Sequence, residues 1–319
     1  MIATAMCEPG YVGLQRSGVL RQRARAAWER LAACDLCPHR CDANRLAGEH
    51  GVCQSGSAAV VASHGPHFGE EAPLVGLGGS GTVFFGFCNL KCEFCQNYEL
   101  SQLGEGRVVT PDGLAEIFLR LQDDGCHNVN LVSPSHVVPQ FLAALEIAAA
   151  RGLRLPIVYN TGGYDSIETL ALLDGVVDIY MPDMKYSDAA VAWRFSRVKD
   201  YPEANQAAVR EMHRQVGDLV VDERGIAQRG LIVRHLVMPE GLAGTRAIAK
   251  FIAQDISAHT YVNVMAQYRP CYRAQRHPAL SRPLMAQEFR QAIEAAWEAG
   301  LRRFDRLPPD WHVTEGPGR

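Results

Sequence analysis

The chain has 319 residues, 47% of them hydrophobic and 21% charged, with a formal net charge of −3 at pH 7. That balance excludes a wholly disordered chain, and the small negative charge argues against nucleic acid or anionic membranes as partners. No apolar run approaches the ~18 residues of a membrane helix, and the opening MIATAMCEPGY lacks a basic region followed by an apolar core. The expected location is therefore cytoplasmic. In that setting ten cysteines are more readily metal ligands or redox groups than disulfides.

Three zones follow in chain order. Residues 1–81 carry an Arg/Ala-rich amphipathic helix near Arg16–Arg30, read as a solvated face. Behind it come four cysteines, Cys34, Cys37, Cys41 and Cys53, spaced C-x2-C-x3-C-x11-C, and the run Gly76-Leu-Gly-Gly-Ser-Gly81. The glycine run lacks the Lys-Ser/Thr of a phosphate-binding loop and is expected to be a flexible connector. Four thiolates suit tetrahedral zinc or a fully ligated iron–sulfur cluster, and spacing alone does not choose between them. Residues 306–319, rich in Pro and Gly, are expected to form a poorly ordered tail.

Residues 82–305 alternate short apolar runs with longer helical patterns. The predicted strands are Thr82–Phe87, Asn128–Val132, Pro156–Asn160, Val176–Met181, Leu231–Val237 and Tyr261–Ala266. Nearly continuous apolar runs of this length mark strands buried on both faces. The predicted helices include Pro111–Asp123, Val138–Ala150, Ile167–Leu173, Glu203–Val216, Thr245–Asp255 and Met285–Ala299. Six βα units imply parallel strands with crossover helices. On pattern alone, a doubly wound sheet and an open barrel both fit. The residues just after the strands favour the barrel: Cys88-Asn89, Ser133-Pro-Ser-His136, Asn160-Thr161, Asp183-Met-Lys185, His235 and Gln267-Tyr-Arg269. Polar residues at all six exits point to one shared site at the C-terminal strand ends. The expected fold is α/β, a partial (β/α)6 TIM-like barrel with a Cys-rich N-terminal cap.

The strongest motif is Cys88-Asn-Leu-Lys-Cys92-Glu-Phe-Cys95, placed directly after the first predicted barrel strand. Thiolates are soft ligands for iron–sulfur clusters or zinc. Three of them in eight residues hold three corners of a cubane and leave one iron open, unlike the ferredoxin spacing in which every iron is protein-ligated. Structural zinc needs a fourth ligand, and no Cys or His follows closely after Cys95.

With an aromatic residue, Phe94, before the third cysteine, this motif resembles the signature of radical S-adenosylmethionine (radical SAM) enzymes. More closely, the chain resembles pyruvate formate-lyase activating enzyme-like proteins of the PflX group. The segments that carry the likeness are His67-Phe-Gly-Glu-Glu71, Phe94-Cys-Gln-Asn97, Tyr159-Asn-Thr-Gly-Gly-Tyr164, Asp178-Ile-Tyr-Met-Pro-Asp-Met-Lys-Tyr186, Arg234-His-Leu-Val-Met-Pro239 and Gln267-Tyr-Arg-Pro270.

The resemblance implies a [4Fe-4S] cluster on Cys88, Cys92 and Cys95, with S-adenosylmethionine chelated to the open iron. It implies reductive cleavage to a 5′-deoxyadenosyl radical and an electron donor such as flavodoxin or ferredoxin. The implied substrate is the glycine of a glycyl-radical enzyme. Radical modification of another protein, peptide or small metabolite is the alternative, and a non-catalytic iron–sulfur or zinc-binding protein the third reading. Cofactor contacts are expected from Phe94, Ser133, Ser135, Asn160, Asp183 and His235, with Lys185 and Arg269 as candidate binders of a carboxylate or phosphate. Relatives place a Gly-Gly-Glu-like segment where this chain has Ser133-Pro-Ser-His136, so the usual carboxylate is absent. Activases with extra clusters carry them after the radical SAM motif, whereas Cys34, Cys37, Cys41 and Cys53 precede it. The lone Cys7, Cys126 and Cys271 are read as small buried hydrophobes, with Cys271 close to the mouth. Tyr261, Tyr268 and Tyr272 are read as core residues in preference to an adenine platform.

Overall fold

A computed structural model describes residues 8–307; Cys7 and the tail beyond Leu307 lie outside the described residues. Ten strands form one sheet: β1 (Ala59–His67), β2 (Ser80–Phe85), β3 (Arg107–Val109), β4 (Val129–Val132), β5 (Ile157–Thr161), β6 (Ile179–Pro182), β7 (Val220–Val221), β8 (Ala227–Leu236), β9 (Tyr261–Met265) and β10 (Arg303–Phe304). Their order is β10-β9-β8-β6-β5-β4-β2-β1-β3, with β7 on β8. The run β2, β4, β5, β6, β8, β9 is parallel throughout and keeps chain order. A doubly wound sheet would reverse direction at a switch point, so the six expected βα units build the partial barrel.

Period-2 alternation explains both faces of that sheet. Ile157, Tyr159, Tyr180, Leu231 and Val233 pack outward into the main core under the helices. Val158, Ile179, Met181 and Ile232, the residues between them, meet inside the barrel. The helices Pro111–Asp123, Val138–Ala150 and Ile167–Leu173 have the predicted bounds. Two of them start on side-chain caps, Thr110 accepting from the Gly113 amide and Ser166 from that of Thr169. Two short helices, Gly10–Arg16 and Val19–Glu29, bury Tyr11, Leu20, Ala24 and Ala27 against this outer layer. The Arg-rich side of the second remains in solvent, with Arg21 reaching Glu146. Among the described residues, no helix is long and apolar enough to cross a membrane.

The sheet extends into the zone read as a cap. Strand β1 pairs antiparallel with β2 and β3, and the turn that follows it, Ala72–Val75, sends Leu74 into the barrel interior beside Val158, Ile179 and Ile232. The loop leading into that turn thus enters the barrel. The glycine run is likewise no flexible connector. A Cβ on Gly78 would sit 2.0 Å from the Gly125 carbonyl oxygen, and one on Gly81 would sit 2.4 Å from that of Asn128. These glycines let two backbones approach closely. Gly81→Ala is therefore expected to cost about 1–3 kcal/mol through overpacking, read as a lower urea midpoint; an unchanged midpoint would contradict the close packing.

Candidate active site

The loop after β2 carries Cys88, Cys92 and Cys95 and is fixed from three sides. Asn89 Nδ2 donates to the Tyr164 carbonyl at 2.7 Å, the Glu93 amide to the Phe195 carbonyl at 2.8 Å, and the Arg273 amide to the Glu93 carbonyl at 2.9 Å. The three thiols thereby line a single cavity of about 390 Å3, whose wall also includes Asn160, Asp183, Lys185 and Arg234. Donors already point at the sulfurs: the Leu90 amide at Cys88 Sγ (3.4 Å) and Ser196 Oγ at Cys92 Sγ (3.0 Å). Burial pushes the Cys92 thiol up to about 12 and raises that of Cys88, against the pull of the Lys185 ammonium. Such thiols keep their protons until a metal replaces them, so loading releases protons. Three soft donors on one wall, with hydrogen-bond donors and a cation beside them, fit an anionic [4Fe-4S] cluster with one open corner.

Inward-facing strand positions supply the rest of the wall. Asn160 follows Val158 in parity, Asp183 follows Ile179 and Met181, and Arg234 follows Ile232; all three line the cavity. Lys185 Nζ lies 2.5 Å from Asp183 Oδ2. Burial alone would raise the Asp183 carboxyl, but Lys185 and Arg234 outweigh it and hold the group below the ordinary carboxylate value. Ser133 also lines the cavity, with φ 59°. Phe94 lines it too and packs its ring against Tyr186 and Tyr268.

Other expected contacts fall elsewhere. His235 has the opposite parity to Arg234 and is not among the cavity residues. Both its nitrogens are engaged, Nδ1 at 2.7 Å from the Met184 carbonyl and Nε2 at 2.8 Å from Thr245 Oγ1. The residue ties loops together instead of facing the cofactor space. Ser135 is buried against Thr161 Oγ1 at 3.0 Å and is also off the cavity wall. Arg269 points to solvent. Tyr268 is buried and donates to the Leu280 carbonyl, Tyr261 donates to Asp305, and Tyr272 stacks on Tyr98, so none forms part of the wall. Cys126 is a core residue, while Cys271 is partly exposed outside the cavity.

The wall also holds residues to which the sequence assigned no role. Glu70 and Glu71 enter the interior on the loop after β1, opposite Arg234 and Asn263. For Arg234 and Asn263 the inward phase of the strands was the available signal. For the two acids the signal was the segment His67-Phe-Gly-Glu-Glu71, which carries part of the family likeness, although their placement depends on a loop from outside the six βα units.

The second cysteine group packs on the same face. Cys34 lies beside Cys41, packed with Leu31 and Leu36, and Cys37 lies beside Cys53. His39 Nε2 sits 2.8 Å from the Asn89 carbonyl oxygen, so this segment touches the loop of Cys88. Among the described residues, no three His, Cys, Asp or Glu side chains converge on one ion-sized point. Arg45 is 1% exposed beneath them. It donates to the carbonyls of Gly56 and His136 and has Nη1 3.8 Å from Cys34 Sγ.

The family model of the radical SAM superfamily matches residues 82–223, from β2 through β7. An uncharacterized protein of Methanocaldococcus jannaschii is 34% identical over 276 residues, covering 84% of this chain and 75% of its own. Among solved structures, a radical SAM methyltransferase from Sphaerobacter thermophilus aligns with a TM-score of 0.47 at 15% identity, over 71% of this chain and 67% of that one. A domain of pyruvate-formate lyase-activating enzyme from Bacteroides vulgatus aligns at 0.35 and 16% identity, over 61% of this chain and 89% of that one. The family match spans the first four parallel strands of the barrel and the loop bearing Cys88, Cys92 and Cys95, and it identifies residues 82–223 as a radical SAM superfamily domain.

Proposed function

We propose that this chain cleaves S-adenosylmethionine reductively and uses the resulting 5′-deoxyadenosyl radical to take a hydrogen atom from a substrate lodged in the barrel. The observation that carries the reading is that three thiols and the inward-facing Asn160, Asp183 and Lys185 line one cavity. The cluster, when bound, supplies the electron; the chain supplies orientation and water exclusion. Leu90 and Phe94 form the apolar part of the wall beside the thiols, while the Asp183–Lys185 pair and Asn160 offer charge and hydrogen bonds to the methionyl and ribose groups. The sequence resemblance favours, as the substrate, a glycine of a partner glycyl-radical enzyme, with flavodoxin or ferredoxin as electron donor.

The test is anaerobic reconstitution with iron and sulfide, reduction by dithionite or flavodoxin, and quantitation of 5′-deoxyadenosine. Formation of that product is expected; its absence from cluster-loaded protein would defeat the reading. A glycyl-radical signal appearing in a co-incubated partner enzyme supports the activase role, and its failure to appear with cognate partners turns the reading toward another protein, peptide or metabolite. Within the cavity, Asp183→Asn should weaken S-adenosylmethionine binding about tenfold or more, the scale of a lost hydrogen bond to a charged group. His235→Ala should instead lower the melting temperature and leave that affinity intact. Equal losses of affinity in both variants would place His235 back on the cofactor.

We further propose that Cys34, Cys37, Cys41 and Cys53 hold a metal, either zinc or a second iron–sulfur cluster. Arg45 supports this: among the described residues it meets no carboxylate, although a buried guanidinium needs a compensating negative charge. Four thiolates around one divalent ion carry two net negative charges, and Cys34 is the thiol that Arg45 reaches.

A further inference from the structure

The interior of the barrel below the cluster loop carries more polar chemistry than the cofactor needs. Glu71 is 2% exposed and Glu70 is 8% exposed, yet both line the cavity. The cation they share is Arg234, and every contact is long: Nε to Glu71 Oε1 is 3.4 Å, Nη1 to Glu70 Oε2 is 3.7 Å, and Nε to Asp183 Oδ1 is 3.5 Å. Charge-assisted hydrogen bonds close to about 2.7–2.9 Å. At these distances Glu71 Oε2, Asp183 Oδ1 and Arg234 Nε are left without hydrogen-bond partners although buried. Buried polar atoms are nearly always satisfied; with Asp183 on the cofactor side, the unsatisfied atoms of Glu71 and Arg234 mark a place where something else binds.

The charges identify what it is. Asp183 is already neutralised by Lys185 at 2.5 Å. That leaves Arg234 facing Glu70 and Glu71, with Asp305 beneath the same group, accepting from the Ala72 amide and the Tyr261 hydroxyl. His67 lies 3.4 Å from Glu70, while Arg303 and Arg306 stand beside Tyr261 and Asp305. Two buried carboxylates, Glu70 and Glu71, thus share one guanidinium, that of Arg234. Burial, with the neighbouring Glu71, raises the Glu70 carboxyl despite Arg234. Asn263 Nδ2 holds Glu71 Oε1 in place at 2.8 Å and leaves Oε2 free for a ligand.

We propose that the floor formed by Glu70, Glu71 and Arg234 anchors the substrate, and that the anchored group is a basic nitrogen, an ammonium or guanidinium, held by the two glutamates. The inference rests on the hydrogen-abstraction reading, since it makes this end of the cavity the substrate side. The nitrogen belongs either to a small amine or to a basic side chain of a peptide that enters the barrel.

Full-length protein, loaded with iron and sulfide and saturated with S-adenosylmethionine, is titrated calorimetrically under anaerobic conditions. The probes are propylamine, propionate, a short glycine-rich peptide carrying one lysine, and the same peptide with norleucine. The cationic member of each pair should bind at least about tenfold more tightly, a difference of about 1.4 kcal/mol. A lysine peptide that outcompetes propylamine makes the source a peptide; equal binding makes it a free amine. Glu71→Gln should abolish the preference for charge, and Arg234→Gln should increase it, opposite shifts that general loss of structure does not produce. If Glu71→Gln does not fold, the wild-type pairs and Arg234→Gln still decide. No preference in the wild type, or a preference unmoved by Arg234→Gln, overturns the proposal. Formation of 5′-deoxyadenosine by the same preparation tests the underlying reading separately, because the calorimetry needs no turnover.

Discussion

Cys92→Ala is expected to reduce 5′-deoxyadenosine formation to background and to strip the catalytic iron. Cys92 is buried in the cavity wall, with Ser196 Oγ at 3.0 Å from its sulfur and the Lys185 charge close by. Two remaining thiolates leave two cubane corners without protein ligands. The fold should survive, because removing one buried sulfur is a small deletion by the standard of core truncations, which cost about 2–5 kcal/mol for Leu to Ala. Cys271→Ala is the matched control: that thiol lies off the cavity wall and should leave iron content and turnover at wild-type levels. Iron retained by Cys92→Ala together with wild-type product formation would show that the cluster sits elsewhere.

What was legible in the sequence was whatever local pattern dictates. The six parallel strands appear as short apolar runs because helices cover one side and the packed interior the other. The three helices with predicted bounds carry Pro, Thr or Ser signals at their starts. Strand β1 was missed because its burial does not alternate cleanly and Gly65 and Pro66 interrupt its pattern. β3, β7 and β10 have two or three residues, too few for any period to show. In the site, the cysteine spacing marked the loop that brings three thiols to the cavity wall, whereas the phase of its strand turns His235 away from that cavity. Ile232 faces inward, so Arg234 does as well, and His235 faces the surrounding loops. The acidic floor depends on contacts between Glu70, Glu71 and a strand from the far side of the barrel. Adjacent acids in a sequence ordinarily mark a solvated surface, and here only the tertiary structure reveals that they are buried.

The N-terminal thiols carry the second large expected effect, and Arg45 is the residue through which it is read. In metal-loaded protein, Arg45→Met should lose the hydrogen bonds to the Gly56 and His136 carbonyls and the charge beside Cys34. Breaking a buried charge interaction from one side costs about 3–5 kcal/mol, which at about 2–4 °C per kcal/mol lowers the melting temperature by roughly 6–20 °C. In protein whose N-terminal thiols have been changed to serine, no thiolate charge remains for the guanidinium to balance. There the same substitution removes an uncompensated buried cation and should cost much less, or even stabilise. The difference between the two melting shifts isolates the coupling between Arg45 and the metal. Equal shifts in both backgrounds would mean that Arg45 serves only the carbonyls and that these cysteines hold no anionic metal site. Metal analysis of the wild type then separates the alternatives. Zinc together with the iron of one four-iron cluster identifies a structural site, whose loss should mainly reduce stability because its segment folds around the ion. Twice that iron identifies a second cluster. Since His39 joins the segment to the Cys88 loop through the Asn89 carbonyl, loss of that cluster should slow turnover more than it lowers the melting temperature.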